Sequence, residues 1–179
     1  MPEGDADEAL MVQAAQGDHR AFRILMARHM ARAIRIADAV LGSSSDCDDV
    51  AQEAFVRVWQ RASSFDPTIA RFTTWLYRIV VNLAIDRARR PHGEPIETAQ
   101  HITTDEPSAL ANMIAKEDVS MVTACISRLP DRQRAALALF HFEGLSGREA
   151  AEAMKMTEKA FESLLVRARA TLKQRVLAA

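Results

Sequence analysis

The chain has 179 residues, 49% hydrophobic and 26% charged, with six glycines, six prolines and a formal net charge of −1. That length suits one domain or two small ones, and sparse Gly and Pro with recurrent Ala, Leu, Arg, Glu and Met favour helix over sheet. No stretch approaches the about 18 apolar residues of a membrane span, and the acidic start "MPEGDADEAL" is not that of a signal peptide, so no membrane span and a cytoplasmic setting are expected. Cys47 and Cys125 lie far apart, with no Cys or His at metal-ligand spacing, so neither metal nor cofactor is expected and free thiols fit a reducing compartment.

Phe22, Leu25, Met26, His29, Ala33, Ile36 and Val40 recur at helical spacing, and Gly42 ends that helix. Ser45 or Asp46 then caps "DDVAQEAFVRVWQRA", whose stripe is Val50, Ala54, Phe55, Val58 and Trp59. After "SSFDPT", Ile69, Phe72, Leu76, Ile79, Val80 and Leu83 mark a third helix that ends near Arg90, before Pro91. Three mutually amphipathic helices over roughly residues 5–90 can close a small core. Pro91, Gly93, Pro95 and Pro107 among acids and threonines predict a flexible linker.

A second helical domain begins near Ala109. Leu110, Ile114, Met121, Val122, Cys125 and Ile126 mark its first helix, and Pro130 stops it. "DRQRAALALFHF" follows, ended by Gly144. Ser146 and Glu149 have capping-box spacing. Met154 to Thr157 form a turn, and Thr157 caps a final helix with Phe161, Leu164, Leu165, Ala168 and Leu172 inward. This order is that of a helix-turn-helix, which sets one helix in a DNA major groove. The small net charge hides a partition: Arg71, Arg78, Arg87, Arg89 and Arg90 form one basic block and Arg167, Arg169, Lys173 and Arg175 another, with the acidic linker between.

"DDVAQEAFVRVWQ", "FTTWLYRIVVNLAIDRARR" and "LPDRQRAALALFHFEGLSGREAAEAM", in that order, resemble a bacterial RNA polymerase sigma factor of the extracytoplasmic-function group, over roughly residues 8–175. The resemblance implies an all-α fold: a core-binding and minus-ten-melting domain over 5–91, a linker over 92–108 and a helix-turn-helix reading the minus-thirty-five element over 109–179. It implies three partners: RNA polymerase core, through its largest-subunit clamp helices and flap; promoter DNA; and an anti-sigma factor. It does not imply an enzyme.

Asp49, Gln52, Glu53 and Val56 share one helix face by their spacing, and the resemblance assigns that face to the clamp helices. Phe72, Trp75 and Tyr77 lie within six residues, and not all are expected to face the core of one helix; an exposed aromatic can stack on an unpaired base. The resemblance places Phe65 to Arg71 in the loop that captures a flipped base and matches Asn82 to a reader of an upstream minus-ten base. Arg78, Arg87, Arg89 and Arg90 would hold phosphates. On the final helix, Glu158, Lys159, Glu162, Ser163, Val166 and Arg167 are expected to be exposed, with Arg167 and Arg169 on phosphate. A carboxylate there either accepts from cytosine N4 or merely complements a helix N-terminus. Lys155 stands where similar helix-turn-helix proteins usually have Gly, so it either bears a left-handed conformation or reshapes the turn. Two other readings stay open: a helix-turn-helix regulator acting without polymerase core binding, and a helical adaptor whose basic blocks are solvated faces.

Overall fold

Helix 3.6-residue patterning, side-chain caps and left-handed glycines set most of the element boundaries in this chain. The computed structural model describes residues 6–42, 45–89 and 121–178. The described elements are α1 (Asp7–Ala15), α2 (His19–Leu41), α3 (Cys47–Gln60), a single tight turn (Ala62–Ser64) and α4 (Phe72–Ala88). After the undescribed stretch come α5 (121–127), α6 (Asp131–Leu137, continued by a wide π-type turn, Ala138–Phe142), α7 (Gly147–Ala153) and α8 (Glu158–Leu177). The fold is all-α with two helical domains. Arg90, Leu110, Ile114 and the predicted linker lie outside the described residues.

The first correction concerns α1. Three helices were expected over residues 5–90, and the described residues of that stretch form four. Gly17, at φ +93°, breaks the chain between α1 and α2, and the Asp18 carboxylate accepts from the Arg20 and Ala21 amides to start α2. Two acids in the first turn of α1 tie it down. Asp7 lies 2.6 Å from His29 Nε2 and 2.9 Å from Arg28. Glu8 accepts from the Phe72 amide at 3.0 Å. That amide is one of the unpaired donors at the start of α4, so a helix remote in sequence caps α4. Ile69 is a second correction: it precedes α4 and is exposed, rather than helical and inward. The expected Ser45 or Asp46 side-chain cap of α3 is not formed; the Asp46 carboxylate accepts from Arg87 on α4 instead, at 3.3 Å.

Helix α4 is buried on more than one side. Eleven of its seventeen residues are buried, because α2 and α3 pack against it within the first domain while α6 and α7 pack against it from the second. A helix that is apolar nearly all round is one that lies inside a structure. The second domain closes on its own Ala135, Leu137, Leu139, Ala150, Phe161 and Leu165. Ser146 and Glu149 form the predicted capping box, and Thr157 accepts from the Ala160 amide to open α8.

One buried cation joins the halves. Arg134 on α6 is 8% exposed. Its Nε donates to the Val40 carbonyl in the last turn of α2 at 2.7 Å. Its other nitrogens donate to the Ser127 and Leu129 carbonyls and to Asp131. Arg134→Met leaves those carbonyls without donors. It is expected to lower stability by about 3 kcal/mol, read as a lower urea midpoint at unchanged slope.

Candidate nucleic-acid interface

The residues expected to make contacts lie on four surfaces. On α3, Asp49, Gln52, Glu53 and Val56 are all exposed on one face, with Val56 at 48%. Glu53 is held by Arg57 one turn on, at 2.9 Å. Beside this face, His19 stacks on Trp59 with centroids 4.6 Å apart, and Phe22 tilts against the same ring at 5.0 Å. The α2–α3 groove there is lined by Phe22, Met26, Phe55, Val56 and Trp59. The result is an acidic and amide-bearing stripe next to an apolar groove, which suits a basic, amphipathic helical partner.

The second surface is the loop before α4. Phe65 is half-buried and packs on Phe72 and Trp75, with centroids at 6.2 and 5.3 Å. Asp66 accepts from the Thr68 hydroxyl and amide, and these bonds hold its carboxyl below the ordinary range. Arg71 is exposed and lies 3.6 Å from Glu149 of α7. The Glu149 carboxyl is itself held low, chiefly by the Ser146 hydroxyl, then by the Ser146 amide, with the Arg71 charge a smaller cause.

The third surface, α4, brings a correction. The sequence reading expected that Phe72, Trp75 and Tyr77 do not all face a core. All three are buried. The reading assumed one buried face, whereas α4 is packed from two sides. The Tyr77 hydroxyl donates to Glu143 of the second domain at 3.4 Å. Burial first, and the Glu143 charge second, push its phenol above the ordinary value. Asn82 turns its amide back onto the Arg78 carbonyl at 2.6 Å. Arg78 and Arg87 are half-buried within α4, and Arg89 is exposed just beyond its end.

The fourth surface is α8. Glu158, Lys159, Glu162, Ser163, Val166 and Arg167 are exposed as expected. Ser163 donates to the Lys159 carbonyl and Arg167 Nε to the Ser163 carbonyl, so both heads lie along their own helix. Arg169 lies 3.3 Å from His141 Nε2 through its Nε and sits over the Phe140 ring at 5.5 Å. Lys155 has φ 51°, the strained left-handed outcome of the two foreseen. Sequence reasoning missed Arg32, Arg35 and Glu143: the arginines look like solvated positions of α2, and only the fold sets them against Glu143, at 3.5 Å each. Both cysteines are buried, and neither is in a disulfide. Among the described residues no group of His, Cys, Asp and Glu could hold a metal, and no helix is long and apolar enough to cross a membrane.

Two outcomes test this geometry. Lys155→Gly relieves the left-handed cost of a side chain and is expected to raise thermal stability by about 1 kcal/mol, seen as a higher melting temperature. Tyr77 is the chain's single tyrosine, so phenolate absorbance reports it alone. Its folded value is raised, so its contribution to stability is fully present below about pH 10 and is lost as pH rises through the folded value. A spectrophotometric titration is expected to show phenolate appearing later in the native chain than in urea.

The chain matches the family model for sigma-70 region 2 over residues 25–92 and that for sigma-70 region 4 over residues 120–172. It is 34% identical to the RNA polymerase sigma factor CnrH of Cupriavidus metallidurans, over 94% of this chain and 93% of that one. It is 30% identical to the ECF RNA polymerase sigma-E factor of Escherichia coli, over 98% and 97% of the two chains. Among solved structures, that of CnrH in complex with the cytosolic domain of CnrY matches with a TM-score of 0.72 at 32% identity, over 97% of this chain and 99% of that one. With two region models matched in order on two helical domains, and relatives aligned nearly end to end, the chain belongs to the extracytoplasmic-function sigma factors of RNA polymerase.

Proposed function

We propose that this sigma factor acts in the cytoplasm as a specificity subunit and not as a catalyst. Its first domain, 5–91, binds core polymerase and the minus-ten element, 92–108 links, and 109–179 reads the minus-thirty-five element. The observation that carries the assignment is the α3 face: Asp49, Gln52, Glu53 and Val56 all stand clear of both domain cores. They offer the polymerase clamp helices two carboxylates, an amide and an apolar patch. The flap is the expected partner of the second domain.

Promoter DNA meets the other surfaces. Lys159, Glu162, Ser163 and Arg167 face the groove from α8, with Arg169 toward the backbone. Phe65 and Arg71 belong to the base-capturing loop, and Asn82 reads an upstream minus-ten base. Arg78, Arg87, Arg89 and Arg90 hold phosphates. Trp75 and Tyr77 serve as stacking platforms in a state in which they are uncovered. An anti-sigma factor is the third partner; support comes from CnrH, which was solved bound to the cytosolic domain of CnrY. The regulator reading is disfavoured, because a helix-turn-helix acting alone has no need of the region 2 domain matched here over 25–92.

Reconstitution with sigma-free core polymerase on a promoter library is expected to yield defined start sites. Asp49→Arg is expected to abolish core binding while leaving the fold intact. Absence of start sites despite core binding would refute the assignment. Arg167→Ala is expected to weaken promoter binding by the holoenzyme. A phosphate role lowers the dependence of log affinity on log salt by about 1, whereas a purely structural role leaves that slope unchanged.

A further inference from the structure

Glu143 follows the wide turn after α6, against the first domain. Its side chain is 2% exposed. Oε2 lies 3.5 Å from Arg32 Nε and accepts from the Tyr77 hydroxyl. Oε1 lies 3.5 Å from Arg35 and accepts no hydrogen bond. All three partners belong to the first domain, Arg32 and Arg35 to α2 and Tyr77 to α4. A carboxylate withdrawn from water is costly unless it is closely paired and hydrogen-bonded. Here the pairing is long, one oxygen lacks a donor, and both arginine side chains are more than half exposed. The packed arrangement therefore carries a charge that would be hydrated if the domains parted, and only two solvent-reachable cations offset it.

We propose that Glu143 with Arg32 and Arg35 is an ionic latch that makes the packing of the two domains reversible. The domains stay together while both arginines face Glu143, and they part when the arginine charges are withdrawn and the buried carboxylate is left unpaired. The seam is built to part. A cleft of about 260 Å3, lined by Arg35, Ile36, Ala39, Ile126, Phe142 and Glu143, runs along it. A void forfeits the dispersion contacts that would otherwise hold the surfaces. The Arg134 bond to Val40 and the covered side of α4 favour closure, so the latch sets the balance rather than making the interface. Parting frees the Tyr77 hydroxyl from Glu143 and Arg71 from Glu149. The latch rests on geometry alone. Its consequence, that the closed chain withholds Tyr77 and Arg71 from promoter DNA, rests on the sigma reading above.

The test uses the full chain without polymerase or DNA. Tetranitromethane nitrates exposed tyrosine, and Tyr77 is the single tyrosine, so mass spectrometry reads opening at one site. X-ray scattering gives the overall size, about 16 Å in radius of gyration for one compact body of this length. The double variant Arg32→Ala, Arg35→Ala strands the buried carboxylate. It is expected to nitrate about tenfold faster and to give a larger radius at an unchanged helical circular dichroism spectrum. Glu143→Gln removes the charge and is expected to nitrate no faster than the native chain. Adding Glu143→Gln to the double variant returns the nitration rate to the native one. The latch is overturned if the double variant keeps the native rate and radius, or if Glu143→Gln does not reverse its effect. Loss of promoter-directed transcription in reconstitution bears on the sigma reading and leaves these two readouts untouched.

Discussion

Arg134 sets a guanidinium where the two domains meet, and its donors are directed at four different acceptors: the Val40, Ser127 and Leu129 carbonyls and the Asp131 carboxylate. Only a planar, permanently charged fork reaches that many acceptors from one buried point; a lysine would offer one compact charge and lose the geometry. The Val40 carbonyl is among those that the last turn of a helix leaves unpaired. The second domain thus completes the C-terminus of α2, in the same way that Glu8 of α1 supplies an acceptor to the N-terminus of α4. Both long helices of the first domain have an end finished by a residue far away in sequence. Their ends are then fixed by tertiary structure, and the stripe of α3 is displayed on a frame that does not fray.

The double-sided burial of α4 places a constraint on function. Were the domains to part as proposed, the side of α4 that meets α6 and α7 would face water, and a large newly exposed apolar surface would call for a new cover. In the sigma reading that cover is nucleic acid with polymerase around it. Aromatic rings serve both states, because a ring packs against a protein core as readily as against a base. The burial of Trp75 and Tyr77 is therefore compatible with a stacking role, provided that the closed state is not the one that meets the promoter.

Much of this fold was legible in the sequence. Helices α2, α3 and α8 carry apolar residues at three- and four-residue spacing, and α7 begins with a capping box, all local signals. Helix α1 was missed because its buried set is short, Leu10, Met11 and Ala14. The Gly17–Asp18 pair was the signal that could have separated it from α2. The α4 aromatics were misjudged because one-face periodicity was applied to a helix that is apolar nearly all round. The exposed faces of α3 and α8 were readable because each complements a strong inward stripe. Arg134, Glu143, Arg32 and Arg35 were not readable. Burial of a charge is decided by long-range packing, and in a local window such residues look like ordinary solvated positions.

The two acids on α8 illustrate how geometry separates identical chemistry. Glu158 and Glu162 stand one turn apart. The Glu158 carboxylate lies within 3.7 Å of where a side chain on Gly147 would begin, at the first turn of α7, where unpaired amides favour negative charge. It stands beside the protein's own framework. Glu162 lies further along the exposed side, with Ser163, Val166 and Arg167 around it, on the surface assigned to DNA. A carboxylate there opposes phosphate at every sequence and is compensated only where a base edge donates to it. If α8 reads DNA as proposed, the carboxylate's net effect would be to lower non-specific affinity more than affinity for the matching site. That would suit a chain of net charge −1 if, as proposed, its DNA contacts count only after polymerase has supplied the rest of the binding energy.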